Sequence, residues 1–334
     1  NYQTQAPGTL SITDLSTGTI SDFGKDDDEL ETDVGSVTAT VGEFSITNSG
    51  SLTVQGVNTL TAGVTINAPA VTIDGAVTTA GSDGTANSNS IVIQTDSLDI
   101  TATGSLTIDT NPNAGVTGDS SITIAQLNVT TTLGVGSTTG GLDISDTEFG
   151  RIATDAGQNL NLGLNGATGD TIIGGDGVIN LSALNFEVAI DGGPGRFENV
   201  LTLRNDSTFT FTANGSIVDQ SAGGVGDTNS ILVIGGAGSA IFEATGGIGR
   251  DTASDGVPDA DLLTAVRRLA AINNDDVSGT GDIRFVNDGD LFNDGISNLD
   301  PGGNIRVISS SPQTVTTDNT ATGSGSITLT ATED

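Results

Sequence analysis

The sequence predicts an all-β chain wound as a parallel β-solenoid (β-helix) with coils of irregular length. Three observations carry that expectation. Apolar and polar residues alternate in runs of about three to five throughout the 334 residues, the period that turns one face of a strand inward and the other outward. The candidate inward residues are Val, Ile, Leu and Ala, with aromatics only 3% of the chain. That composition suits the narrow ladders of a solenoid better than the thicker core between two packed sheets. A stretch near the start also recurs far downstream, as stacked units do.

In chain order the strand candidates are Phe44–Ile46, Leu52–Val54, Val64–Ile66, Val71–Ile73, Ile91–Ile93, Leu98–Ile100, Leu106–Ile108, Ile122–Ile124, Leu142–Ile144, Leu160–Leu162, Leu201–Leu203, Ile305–Val307 and Ile327–Leu329. Gly, Asn, Asp and Ser between them tolerate the conformations that corners need. No Asn-Gly or Asp-Gly pair separates the runs at regular intervals, as a meander of hairpins would prefer. Gly192-Gly193-Pro194-Gly195 reads as a turn. The expectation is one continuous solenoid over 1–334, all-β from end to end.

The repeat is specific. Thr17-Gly18-Thr19-Ile20, an acidic stretch and Leu30–Ala39 match Thr245-Gly246-Gly247-Ile248, an acidic stretch and Leu262–Ala271. The match resumes from Gly42–Leu52 to Gly281–Leu291, with a few extra residues after Ala271. Homologous units thus start near 17 and 245, and 249–261 reads as an acidic loop insertion. Within the second copy, Leu262, Val266 and Leu269 carry helical spacing. Gly35-Ser36 stands in the first copy where Arg267-Arg268 stands in the second, which favours strand, outward corner and strand over one short helix. Leu262, Thr264 and Val266 then alternate on the first strand, and Leu269 and Ala271 on the next.

These residues spell a Gly-x-Ile opening, then Leu-x-Thr-x-Val-x-x-Leu-x-Ala, then Gly-Asp-Ile-x-Ile-x-Asn-x-Gly-x-Leu. The pattern resembles the coil motif of giant exported bacterial proteins of the filamentous haemagglutinin type, over roughly 17–52 and 245–291. The resemblance implies a single-stranded right-handed parallel β-helix on a cell surface or in a secreted matrix.

Charge and composition exclude much else. The chain carries 9 basic and 42 acidic residues, a net charge of −33, and no His, Cys, Met or Trp. Phosphate backbones call for clustered basic residues, so nucleic acid is not an expected partner. Without thiol or imidazole there is no thiolate nucleophile, imidazole base, haem ligand or His/Cys zinc site. No run approaches the ~20 apolar residues of a membrane span. A start at Asn1 with no Met anywhere reads as a processed or excised piece. An anionic, Cys-free, Thr/Ser/Asn-rich β chain suits an extracellular location, where charge opposes edge-to-edge aggregation.

Carboxylates are the remaining chemistry, and calcium is the one cofactor they suggest. Residues 251–261 resemble the Asp-x-Asp-x-Asp-Gly-x-Pro-Asp loops of thrombospondin-type-3-like repeats, with Asp251, Asp255, Asp259 and Asp261 as oxygen ligands and Ala253 in place of one of them. A solvated acidic loop is the plainer reading. Residues 169–177 resemble one turn of a Gly-Gly-x-Gly-x-Asp calcium roll, which would use Asp170 and Asp176. The next turn lacks its Asp. A glycoside-cleaving carboxylate pair needs cationic or aromatic grips that this chain scarcely has, and Phe209, Phe211, Phe242 and Phe285 fit core ladders better than sugar platforms. No catalytic residue is therefore expected. Thr38/Thr40, Thr59/Thr61 and Thr101/Thr103 pair as in ice-binding ladders but without a constant coil length. Asn128, Asn205 and Asn214 head Asn-x-Ser/Thr triplets. The sequence thus points to a structural segment of an extracellular bacterial fibre that stacks head to tail on itself or continues into more chain; the alternatives are an adhesin module binding glycans or a cell surface and, behind it, a polysaccharide-acting carboxylate enzyme.

Overall fold

The computed structural model describes residues 9–13, 30–32, 35–41, 43–59, 63–80, 90–109, 120–136, 141–154, 158–220, 231–249, 261–274 and 281–332. It is all-β with parallel sheets, and every strand candidate named above falls within a strand. The chain divides into two compact units. The first takes Asn1–Thr131, Gly141–Gly163 and Asn185–Glu187, the second Thr132–Gly140, Leu164–Leu184 and Val188–Asp334.

In the first unit one ladder runs through the strands Leu30–Thr32, Phe44–Asn48, Val64–Asn67, Ile91–Gln94, Ser121–Ala125 and Gln158–Gly163, all parallel. Its inward positions form columns: Ile46, Ile66, Ile93, Ile124 and Leu162 stand one above another and all are buried. β-branched residues dominate because each strand presents half its side chains to a slot one residue wide, where compact branched groups pack without voids. Burial stabilises each by about 1.5–3 kcal/mol relative to exposure. A second ladder runs through Thr9–Thr13, Ser36–Val41, Leu52–Thr59, Ala76–Ala80, Ser105–Asp109 and Ile152–Ala153.

In the second unit one ladder joins Ile179–Asn180, Leu201–Leu203, Leu232–Ile234, Leu262–Ala265, Ile283–Asn287, Ile305–Ser309 and Ile327–Ala331. Another, starting at Val188, runs through Thr208–Ala213, Ser239–Ala244, Arg268–Asn273, Leu291–Asn298 and Gln313–Val315. Five rings fill its interior. Phe197, Phe209, Phe211, Phe242 and Phe285 are fully buried, with neighbouring centroids 5.4–6.4 Å apart and tilted or edge-on, the arrangement ring quadrupoles favour. The stack explains Gly195, where a Cβ would lie 2.3 Å from the Phe211 ring.

The repeat is repeated geometry. Leu30 pairs with Ile46 as Leu262 pairs with Phe285. Ser36 pairs with Thr53 as Arg268 pairs with Phe292, and in both copies one extra residue then enters the strand, after Val54 and after Asn293. Both bulges carry a glycine at positive φ, Gly56 at 154° and Gly295 at 109°, a backbone state closed to most L-residues. Residues 262–273 form two strands with a corner at Val266-Arg267, and Leu262, Thr264, Val266, Leu269 and Ala271 are all buried. The helical spacing there is coincidental.

Within this all-β fold one short piece departs from the strand pattern: Asp146–Phe149 is a four-residue helix capped reciprocally by Ser145 and Glu148. Its signal was the Ser-x-x-Glu capping box, too short to override the strand pattern around it. Buried Glu148 accepts the Ile100 N–H at 2.8 Å, and Arg151 donates to the Ile100 carbonyl.

Candidate functional site

The expected calcium ligands divide into three groups. Asp251, Asp255 and Asp259 lie outside the described residues. Asp261 is held by two cations: Oδ1 accepts from Arg284 Nε at 2.9 Å and Oδ2 from Arg306. The two arginines are register partners on adjacent strands, so a carboxylate at the entry to Leu262–Ala265 ties three neighbouring strands together through charge-assisted bonds. Asp170, just before the strand Thr171–Ile173, pairs with Arg196 at 2.7 Å, and Asp176, three residues after that strand, is exposed. Among the described residues no group of three or more Asp, Glu, His or Cys converges on one point. No described helix is long and apolar enough to cross a membrane.

Two of the perturbed carboxylates, Asp96 and Asp74, are structural clamps that sequence reading missed, because their partners lie one coil away. Asp96 is raised by partial burial, but donors from the Asn128 N–H, the Thr131 hydroxyl, the Asn128 amide and the Leu127 N–H outweigh that and hold it below the ordinary value. Asp74 is lowered by the hydroxyls of Thr101 and Thr103. Burial pushes Asp191 up, partly offset by Thr212. Asn128 and Asn214 spend their amides on Asp96 and on the Ala167 carbonyl. Phe209, Phe211, Phe242 and Phe285 are core, as expected.

Buried asparagines mark the corners. Asn287 accepts from the Thr264 hydroxyl at 2.9 Å and the Val266 N–H at 3.0 Å, satisfying backbone exactly at the point where the chain turns and the ladder cannot. Asn273 and Asn298 are register partners, bonded at 3.0 Å, and both donate to the Gly281 carbonyl.

The remaining candidate is the last described coil. Gln313–Val315 and Thr320–Ala321 pair on one side with Leu291–Asn298, and Ile327–Ala331 pairs on one side with Ile305–Ser309. Their other edges meet no strand among the described residues. The columns end open: Ile305 and Val307 are fully buried, while their partners Ile327 and Leu329 are 43% and 38% exposed, and Val315 is 48% exposed. Asp318 is the sole charged residue between 310 and 332. Free N–H and C=O groups beside exposed Val, Ile and Leu, with almost no charge, are what a sheet edge needs to accept another strand. In comparison with known proteins, no family model, curated protein or solved structure matches the chain.

Proposed function

We propose that this chain is a structural segment of an extracellular bacterial fibre, a single-stranded right-handed parallel β-helix of the filamentous haemagglutinin type whose copies stack end to end. The observation that supports the reading is the stacking itself: parallel ladders of short strands in both units, with inward residues in continuous buried columns, inside a strongly anionic protein. Adding coils extends such a fold without enlarging its core, so its product is reach and stiffness, without chemistry at a pocket. A contact between two different edges does not close on itself and generates a filament.

The test is electron microscopy and light scattering of the purified protein over a wide concentration range. Filaments that lengthen with concentration are the expected result. A monomer that stays monomeric at millimolar concentration overturns the proposal. With −33 charges, mutual repulsion opposes stacking and salt screens it. Calcium is expected to lengthen the filaments beyond what sodium at matched ionic strength achieves; equal lengths in the two salts remove the calcium part.

A further inference from the structure

We propose that the chain cuts itself at the Asp300–Pro301 peptide bond, with the Asp300 side-chain carboxylate as the nucleophile. Such a cut is independent of end-to-end stacking, because every group it needs lies at one corner of the second unit.

Of the seven prolines in the sequence, Pro301 alone follows an aspartate. The bond between them is a tertiary amide, whose nitrogen leaves more readily once protonated than that of an ordinary peptide. Asp300-Pro301-Gly302-Gly303 forms a turn between the strands Leu291–Asn298 and Ile305–Ser309, with Gly302 at a φ of 113°. Pro second and a positive-φ glycine third suit a tight turn, and the Gly303 N–H closes it by donating to the Asp300 carbonyl at 3.1 Å. That carbonyl belongs to the bond to Pro301, so a donor already sits on the oxygen that turns negative when its carbon is attacked. The repeat does not call for this pair. Asn273 and Asn298 occupy in the second copy the places of Val41 and Thr59 in the first, and counting on from Thr59 gives Thr61 and Ala62 where Asp300 and Pro301 stand.

The nucleophile is buried and idle. Asp300 is fully buried; its Oδ2 accepts the Gly281 N–H, and its own N–H donates to Asn298 Oδ1 at 3.2 Å. Asn298 donates in turn to the Gly281 carbonyl at 2.7 Å. Only glycine fits at 281, because a Cβ there would lie 2.4 Å from Asn273 Nδ2 and 3.2 Å from Asp300 Oδ2. The other carboxylate oxygen, Oδ1, is buried without a hydrogen-bond partner. Its bonded neighbours are neutral, and an oxygen stripped of both water and donors is costly in the folded chain and more reactive than a hydrated one. In the step, Oδ1 bonds to the carbonyl carbon of its own residue and closes a cyclic anhydride. The C–N bond to Pro301 breaks, and its electron pair leaves on the proline nitrogen. Pro301 is exposed, so solvent supplies that nitrogen's proton. Water then opens the anhydride, leaving Asp300 with a free α-carboxylate and Pro301 with a free secondary amine; the sum is hydrolysis of one bond by one water.

The test holds the purified protein in mildly acidic buffer with hydroxylamine, one sample folded and one unfolded in urea at the same pH. Fragments 1–300 and 301–334 are expected by mass, formed at least about ten-fold faster in the folded sample, where the reacting groups are held together. The fragment ending at Asp300 is expected to carry a hydroxamate, the trapped anhydride. An unfolded sample cut as fast or faster overturns the proposal, because the ordinary lability of an Asp-Pro bond then accounts for the break. Fragments without the hydroxamate, or no fragments, overturn it as well. Asp300→Ala is expected to stay whole. Pro301→Ala keeps the carboxylate but offers a poorer leaving group, and is expected to be cut several-fold more slowly. Either variant with the parent's circular dichroism and the parent's rate overturns the proposal. The comparison of folded with unfolded protein uses the parent chain alone, so it decides even where a variant fails to fold.

Discussion

Residues 30–59 and 262–298 are one design executed with two interiors. The first copy stacks Val37 on Val54, where the second stacks Leu269 on Asn293. Outward, Ser36 and Thr53 give way to Arg268 and Phe292, with Arg267 4.5 Å above the Phe292 ring and Arg268 paired to Asp294 at 2.7 Å. Register, bulge glycine and corner asparagine are the same. Asn48 donates to the Gly50 carbonyl at 3.0 Å, and Asn287 donates to those of Asp288 and Gly289. The difference teaches which residues specify the coil. Backbone geometry is set by a glycine that tolerates positive φ and by an amide that replaces ladder bonds at the turn. The side chains between them have only to fill their slot.

Three experiments break or sharpen that comparison. The largest effect is expected inside the aromatic stack, where Phe242→Ala removes a buried ring in contact with two others and costs about 3–5 kcal/mol, against about 0.5–1.5 for Ile93→Val in the aliphatic columns of the first unit. Hydrogen exchange should show amides of Ser239–Ala244 and its ladder neighbours opening while Ile91–Gln94 stays protected. Uniform loss of protection would mean the units do not respond separately. An intermediate effect is expected at the bulges. Gly56→Val and Gly295→Val each force a β-branched residue to positive φ, at a cost on the order of 1–3 kcal/mol, read as the shift in urea midpoint. Costs that differ several-fold between the two would show that the copies are not geometrically equivalent.

The smallest effect concerns Asp96. Its carboxyl is held below the ordinary 3.8 in the folded chain, so its stabilisation is present above that value and is lost as pH falls through the folded value. Asp96→Asn should therefore lower the melting temperature at pH 7, by a difference worth about 1 kcal/mol after allowance for partial exposure. The gap from the parent should narrow as pH drops from 4 to 2. A gap that is constant with pH would assign the loss to packing instead.

Strands were legible because a period of two needs only local sequence, and the corner at Val266-Arg267 was legible because the first copy supplied a second reading of it. The clamps were not. Asp96 and Asn128, or Asp261 and Arg306, become neighbours only when coils stack, and coil length varies with each loop. For the same reason Asp261 reads in sequence as one more acid in a calcium-like loop, whereas in the fold both its oxygens accept from guanidinium groups. The open edge was foreshadowed by the alternating, charge-poor run Ser326–Ala331. Its exposure could be judged only against the buried residues beneath it.

The contact around Ile100 has a consequence of its own. Glu148 offers an oxygen to the Ile100 N–H and Arg151 offers a nitrogen to its carbonyl, so an acid and a base together counterfeit the peptide group of an absent strand. A four-residue turn of helix can thereby stand in for a rung, sealing the lane at that level while the ladder alongside it keeps climbing. Transplanting Ser145–Arg151 to another coil would be a way to write a full stop into one sheet of a repeating protein without ending the others.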